Sequence, residues 1–522
     1  MNLIEPDNSN QAPRTREAST PSLRSSGRDI RDQLQEDTSA GVEDSDPPIV
    51  VRDGRTDHTA KGRAGLHRNH STDTRGRNAP TQSISSTLIA LNRKAEKKPK
   101  HRFRSLYRLI DKQMLYDSFY QLKRGASPGV DGVTVTEYEK NLAENLESLL
   151  DRLIGKRYRA QPVKRTYLIK PNGKQRPLGI PALEDKIVQL SASRILESIY
   201  EADFSERSVG YRKGKPGARK CSYQLGRELN SGIYRWVVEA DIASFFDEVD
   251  HDWMIRMIEE RVDDRAFVGL IRKWLKAGVL EPGEENPWSP VRGTPQGGII
   301  SPVLANIYLH YALDLWIEKR LSREYRGEIL FMRYADDIIV GFEYKRDAED
   351  YLRRLPERLA EFGLRLSEEK SSLVKFNRWE PDDSGTFTFL GFDFYWSRTQ
   401  RNPHHKIVKR KTNRKKYQSS LCAMKDWINK ARSLPLRTIL RSLRNRLRGY
   451  WNYYCVIGNS RLTWKYYREV TRIIFKWLNR RSQRKSYTWG RFGELWGRKW
   501  EIPRPRVCEK QARLETGELG LV

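Results

Sequence analysis

The segment Ile329-Leu330-Phe331-Met332-Arg333-Tyr334-Ala335-Asp336-Asp337-Ile338-Ile339-Val340 constrains the fold more than any other in the chain. Two short apolar runs flank an acidic pair, so residues 329–342 read as a hairpin with both carboxylates at its tip. Adjacent Asp side chains in a tight turn repel each other, which costs stability unless a cation neutralises them. A motif of four residues recurs by chance in unrelated chains, so alone it is no more than suggestive.

A second apolar strand ends in acid: Val237-Val238-Glu239-Ala240-Asp241-Ile242-Ala243-Ser244-Phe245-Phe246-Asp247. A strand over 233–242 delivers Asp241 at its end, and a turn of small residues leads into a helix. Phosphoryl transfer on two metals needs carboxylates from separate segments that converge on ions about 3.5–4 Å apart. Hard oxygen donors with waters retained point to Mg2+. Taken alone, Asp241 reads better as the N-cap of a helix starting at Ile242, and the other motifs tip it to a ligand role.

Two more segments stand out. Gly293-Thr294-Pro295-Gln296-Gly297-Gly298-Ile299-Ile300-Ser301-Pro302 is a Gly-rich loop entering a helix over 302–321, with Ser301 as its N-cap and Pro302 at its first position. Lys164–Leu178 reads as a β-hairpin turned at Pro171-Asn172-Gly173, with basic residues on both arms. The plain alternatives are a Gly-rich turn and an ordinary basic hairpin.

Taken in chain order, the segments resemble the conserved blocks of reverse transcriptases. Strand-Asp241 and the Tyr334-Ala335-Asp336-Asp337 hairpin resemble motifs A and C, and the Pro295-Gln296-Gly297 loop lies between them. Gly129-Val130-Asp131-Gly132, Phe204–Arg212, Gly363–Lys370 and Phe389-Leu390-Gly391-Phe392 match further blocks, so the likeness spans about residues 105–395. The resemblance implies two Mg2+ ions, with Asp241, Asp336 and Asp337 catalytic and Asp241, Ile242, Asp336 and Asp337 holding metal. It implies nucleotide contacts from Lys170, Arg176, Phe246, Gln296 and Gly297. Arg offers phosphate a bidentate fork and Lys a point charge. Phe246 would lie under the sugar and exclude a 2′-hydroxyl, although it or Phe245 could equally be core.

Charge singles out the C-terminal part. The chain carries a net +30, and residues 401–500 hold 28 Lys and Arg against three Asp and Glu, with seven Trp and seven Tyr. A surface this one-sided repels itself without a polyanion, and interleaved aromatics suit stackable bases. Leu440, Leu443, Leu447, Trp451 and Tyr454 fall at helical spacing, so several aromatics belong to a core. Arg448-Gly449-Tyr450-Trp451-Asn452-Tyr453-Tyr454 followed by Gly458-Asn459 resembles the maturase domain of group II intron proteins. That resemblance implies an endonuclease-lacking group II intron reverse transcriptase and maturase that takes intron RNA, a DNA primer or target, and dNTPs. Lys415, Arg441, Arg444 and Arg448 are the expected RNA contacts.

The expected fold is α+β: a right-hand polymerase with fingers and an antiparallel-sheet palm over 86–400, then an α-helical thumb or maturase domain over 401–480. A basic tail covers 481–522, and the Ser-, Asp- and Arg-rich residues 1–85 read as disordered. Phe387–Tyr395 reads as one further strand. No apolar run of membrane-spanning length occurs, and a cytoplasmic, nucleoid-associated location is expected. The rival readings are a reverse transcriptase outside introns, a domesticated RNA-binding splicing factor, and an RNA-dependent RNA polymerase.

Overall fold

In the computed structural model of the chain, the described residues are 81–169, 175–284, 286–288, 290, 292–294, 297–399, 404–481 and 486–507, with side chains described from 86 onward. They form a mixed α/β body with three small sheets, followed by a helical C-terminal region. The first helix, Thr81–Lys97, begins a few residues before the expected Ser86, while residues 1–80 lie outside the described set. No helix among the described residues is long and apolar enough to cross a membrane.

Strands β1 (Val163–Ile169) and β2 (Gln175–Ile180) form the expected basic hairpin, with Ile169 opposite Gln175. The intervening turn, including Lys170, lies outside the described residues. A short strand that local pattern did not announce, β4 (Val279–Leu280), pairs in parallel with β1.

The central sheet joins β3 (Trp236–Asp241), β5 (Ile329–Tyr334), β6 (Asp337–Phe342) and β7 (Ser372–Lys375) in the order β5-β6-β3-β7. Its strands are apolar at successive positions because both faces are covered. Val238, Ala240, Phe331, Ile338 and Val340 pack into the main helical core. Val237, Leu330, Met332 and Ile339 belong to a second cluster on the opposite face. Alternation with period two thus serves two cores instead of one core and solvent.

The helix Ser301–Leu309 runs beneath this sheet and continues through two wider, π-type stretches, His310–Asp314 and Trp316–Leu321. Ser301 is its first helical residue and Pro302 its second, and no side chain caps it, so the expected Ser301 cap is displaced by one residue. Residues 387–395, expected as one strand, are instead a hairpin. β8 (Phe387–Phe389) turns through Leu390 and Gly391, both at positive φ (50° and 74°), into β9 (Phe392–Arg398). A tight hairpin turn requires such left-handed values.

The helical pattern expected from about 400 is preceded by β10 (Lys406–Thr412), which pairs along β9. The helices Arg414–Ala431, Leu436–Tyr454 and Ser460–Leu478 follow. Leu440, Leu443, Leu447, Trp451 and Tyr454 are all buried on the middle helix, as their spacing required. Residues expected in a basic tail join this core: Phe492, Trp496, Trp500 and Ile502 are buried against it. The Leu436–Tyr454 helix also reaches the central body. Tyr453 Oη donates to the carbonyl of Leu390 at 2.8 Å, and Tyr454 and Val456 pack in the second cluster.

Candidate active site

Asp241 ends β3 directly opposite Asp337, the first residue of β6. Positions of equal parity share a face of a sheet. Asp241 and Asp337 therefore lie on the face that Val237 and Ile339 occupy further along, where side chains directly opposite have Cβ atoms about 4.5–5.5 Å apart. Asp336 sits beside them in the two-residue turn that joins Tyr334 to Asp337. Its neighbour Ala335 adopts φ 56°, a left-handed value that residues with a Cβ rarely take. The fold thus places three acidic residues, two on strands far apart in sequence and one in the adjoining turn, at one end of the sheet, although no three His, Cys, Asp or Glu side chains among the described residues stand close enough together to hold a metal ion. Ile242, buried just beyond Asp241, bridges to Leu366 and has only backbone oxygen to offer. Asp241 caps no helix: the following helix is Phe245–Glu248, and Ser244 precedes it at φ 45°.

The electrostatics of this trio are unfavourable without a cation. Solvent reaches Asp337, but the dense protein around it strips away much of its hydration. That burial, then Asp336, Asp241 and Glu239, pushes its carboxyl up to about 7. Burial also raises Asp336, with Asp241 adding to the rise, while a backbone hydrogen bond, Arg176 and Lys370 oppose it. Carboxylates so disposed favour a proton or a metal over the free anion.

A residue that sequence reasoning passed over answers part of this charge. Lys370 Nζ lies 2.6 Å from Asp241 Oδ2 although its side chain is 67% exposed. Its ammonium is held above the usual lysine range, first by that hydrogen bond. In sequence, Ser367-Glu368-Glu369-Lys370 closes one of the segments that resemble the family's blocks, but nothing local gives Lys370 a role of its own. The fold straps it across the end of β3, where Ser367 N donates to the carbonyl of Asp241 at 2.8 Å and Asp241 N donates to Ser371 Oγ at 3.3 Å.

Of the expected nucleotide contacts, Arg176 on β2 is half-buried and close enough for its guanidinium to lower the Asp336 carboxyl. Phe245 is in the core, whereas Phe246 is only partly buried, with the two rings edge to face at 5.3 Å. The Phe246 carbonyl accepts from Thr294 N at 2.7 Å, which ties the Gly-rich segment to the Asp241 turn. Gly297, at φ 110°, passes so close to β2 that a Cβ would lie 3.0 Å from the carbonyl oxygen of Gly179. Lys170 and Gln296 lie outside the described residues.

The expected RNA contacts lie elsewhere, on the outer faces of the C-terminal helices. Lys415, Arg441 and Arg448 are exposed. Arg444 is half-buried, and its Nε donates to the carbonyl of Leu440 at 3.2 Å. The Ser460–Leu478 helix adds exposed Arg461, Lys465, Arg468 and Arg472 at three- and four-residue spacing, a stripe not singled out from the sequence.

Comparison with known proteins agrees with this arrangement. A family model described as "Reverse transcriptase (RNA-dependent DNA polymerase)" matches residues 168–394, which include β3 and the acidic hairpin. Protein YkfC of Escherichia coli (strain K12) is 33% identical over 299 residues, covering 52% of this chain and 76% of that protein. Group II intron-encoded protein LtrA of Lactococcus lactis subsp. cremoris is 35% identical over 263 residues, 47% of this chain but only 42% of LtrA. An uncharacterized 91 kDa protein in the cob intron of Schizosaccharomyces pombe is 34% identical over 239 residues, 45% of this chain and 28% of that protein. With the three carboxylates inside the matched region, the chain belongs to the reverse transcriptases, RNA-directed DNA polymerases, of the group II intron reverse transcriptase and maturase family.

Proposed function

We propose that this chain polymerises DNA on an RNA template with two Mg2+ ions held by Asp241, Asp336 and Asp337. In this reading the central sheet is the palm of a right hand, the β1–β2 hairpin part of the fingers, and the C-terminal helices the thumb. The observation that carries it is the cross-strand pairing of Asp241 with Asp337, with Asp336 in the adjoining turn. The donor set fits a hard divalent cation, since all three side chains offer oxygen and their mutual repulsion is relieved by positive charge. When bound, the metals would activate the primer 3′-hydroxyl and stabilise the leaving pyrophosphate.

The chain's own residues do the rest. Arg176 is within electrostatic reach of the carboxylates and would hold triphosphate oxygens there. The Gly297 segment, free of side-chain bulk, would let backbone approach the nucleotide. Phe246, the less buried ring of its pair, would lie under the sugar and select deoxynucleotides. Lys370 would offset the acidic cluster until metal arrives.

The same chain would help its intron RNA reach the active fold. The basic outer face of the C-terminal helices, with Lys415, Arg441, Arg444 and Arg448, supplies binding without using the carboxylates. Intron RNA, DNA primer and dNTPs are thus the proposed partners. The test is Asp336→Ala. Primer extension should be abolished while RNA affinity stays near wild type, and extension within about tenfold of wild type would overturn the metal assignment.

A further inference from the structure

Directly beneath the acidic turn lies a buried polar network that the chemistry above does not use. Arg333, in an otherwise apolar strand, points to the face opposite the carboxylates and is 0% exposed, as is its partner Asp314. Its Nε and Nη2 donate to the two Asp314 oxygens at 2.7 and 2.6 Å, a bidentate pair. Its Nη1 donates to Asn306 Oδ1 at 3.1 Å and to the carbonyl of Ala335 at 3.0 Å. Asn306 is 1% exposed, and its Nδ2 donates to the carbonyl of Gly210 at 2.9 Å. The Gly210 backbone in turn lies against the turn itself: a Cβ there would be 2.3 Å from Ala335 N.

The wider helical stretch makes this network possible. Eight residues of regular α-helix would rotate Asp314 about 80° away from Asn306. The π-type turn over His310–Asp314 takes more residues per revolution and brings both side chains to the same guanidinium. Asp314 neutralises Arg333, so the network contributes geometry more than field. Geometry is what the turn needs, because Ala335 at φ 56° is strained and a two-residue loop has few contacts of its own to hold it.

We propose that Arg333, Asp314 and Asn306 are positioning residues that clamp the Ala335 carbonyl and so hold Asp336 and Asp337 in metal-binding register with Asp241. The proposal rests on the metal-binding reading of those carboxylates. An active Asp336→Ala enzyme would remove that reading, whereas wild-type behaviour of the variants below would remove the clamp alone.

Asn306→Ala deletes the neutral link and leaves the ion pair intact. With poly(rA)–oligo(dT) and dTTP, kcat should fall about 10- to 100-fold with KM for dTTP within about twofold, because a small displacement of the reacting groups is costly while nucleotide contacts remain. The Mg2+ concentration giving half the metal-induced rise in thermal midpoint should increase several-fold, a readout independent of turnover. The double variant Arg333→Met with Asp314→Ala guards against a mere folding defect. Apolar replacement of a buried ion pair can preserve stability. A clamp predicts a near-wild-type thermal midpoint with kcat still depressed. Wild-type kcat and Mg2+ response in Asn306→Ala, or recovery of both stability and kcat in the double variant, would overturn the proposal.

Discussion

Asp337→Asn should make the metal-free protein more stable while abolishing polymerisation. The Asp337 carboxyl is raised from 3.8 to about 7, first by burial and then by Asp336, Asp241 and Glu239. Such a rise, for a group wholly withdrawn from water, disfavours the ionised form by roughly 4 kcal/mol. Solvent reaches this side chain, and screening reduces the figure to about 1–2 kcal/mol. A group whose pKa is raised on folding contributes stability that is fully present below its unfolded value. That contribution is lost as pH rises through the folded value. Ionised Asp337 therefore burdens the native state progressively from about pH 4 to about pH 7. Asn removes the burden and keeps the shape. Thermal unfolding in EDTA should show a higher midpoint for Asp337→Asn at pH 8, with a smaller gain at pH 5. Mg2+ should stabilise wild type at pH 8 and the variant much less. Lys370→Met is the control of opposite sign, since it deletes the cation beside Asp241 and should lower the metal-free midpoint at pH 8. A lowered or unchanged midpoint for Asp337→Asn at pH 8, or an equal gain at both pH values, would refute the claim that these carboxylates strain the metal-free fold.

Phe246→Val should lower the ratio of kcat/KM for dNTP over rNTP while the variant still uses dNTPs, and an unchanged ratio in a folded protein would reassign the ring to the core that Phe245 already serves. Gly210→Ala should depress primer extension far more than it lowers the thermal midpoint, because the added Cβ would lie 2.3 Å from Ala335 N and push directly on the acidic turn. Reversing charge at Lys415, Arg441 and Arg448 should weaken intron RNA binding and flatten its salt dependence, by about 0.7–0.9 in log–log slope for each phosphate that is no longer neutralised. Splicing and generic primer extension measured on the same variants separate an RNA grip from a simple duplex clamp, since equal losses would support only the latter.

Much of this site was legible in the chain because chemistry and period coincided there. Two apolar runs around Asp336-Asp337 can bury themselves only as strands, and a hairpin necessarily exposes the acidic pair at its tip. Asp241 at the end of a second apolar run has the same logic, and the helical spacing of Leu440, Leu443, Leu447, Trp451 and Tyr454 foretold their burial. The signals that failed were those whose meaning depends on neighbours distant in sequence. Nothing local separates Phe387–Tyr395 as one strand from the hairpin it forms, because the left-handed turn at Leu390-Gly391 is held by Tyr453 and Asn413 from the C-terminal region. Trp496 and Trp500 read as parts of a basic tail until the helices they cover are in place.

By itself, then, the sequence determined which residues could carry the chemistry: three carboxylates on two apolar strands, a basic hairpin, a Gly-rich loop and a polycationic helical region. These are local choices of residue type and period, and they survive any rearrangement of the rest. Tertiary structure alone decided that Asp241 faces Asp337 across the sheet, that Lys370 leans on Asp241, and that Arg333 turns away from the carboxylates toward Asp314. Register between strands, the strap over β3 and the widened turn beneath it arise from packing between segments far apart in the chain. A buried charge pair has no periodic signature, because its stability depends on a partner that only the fold supplies.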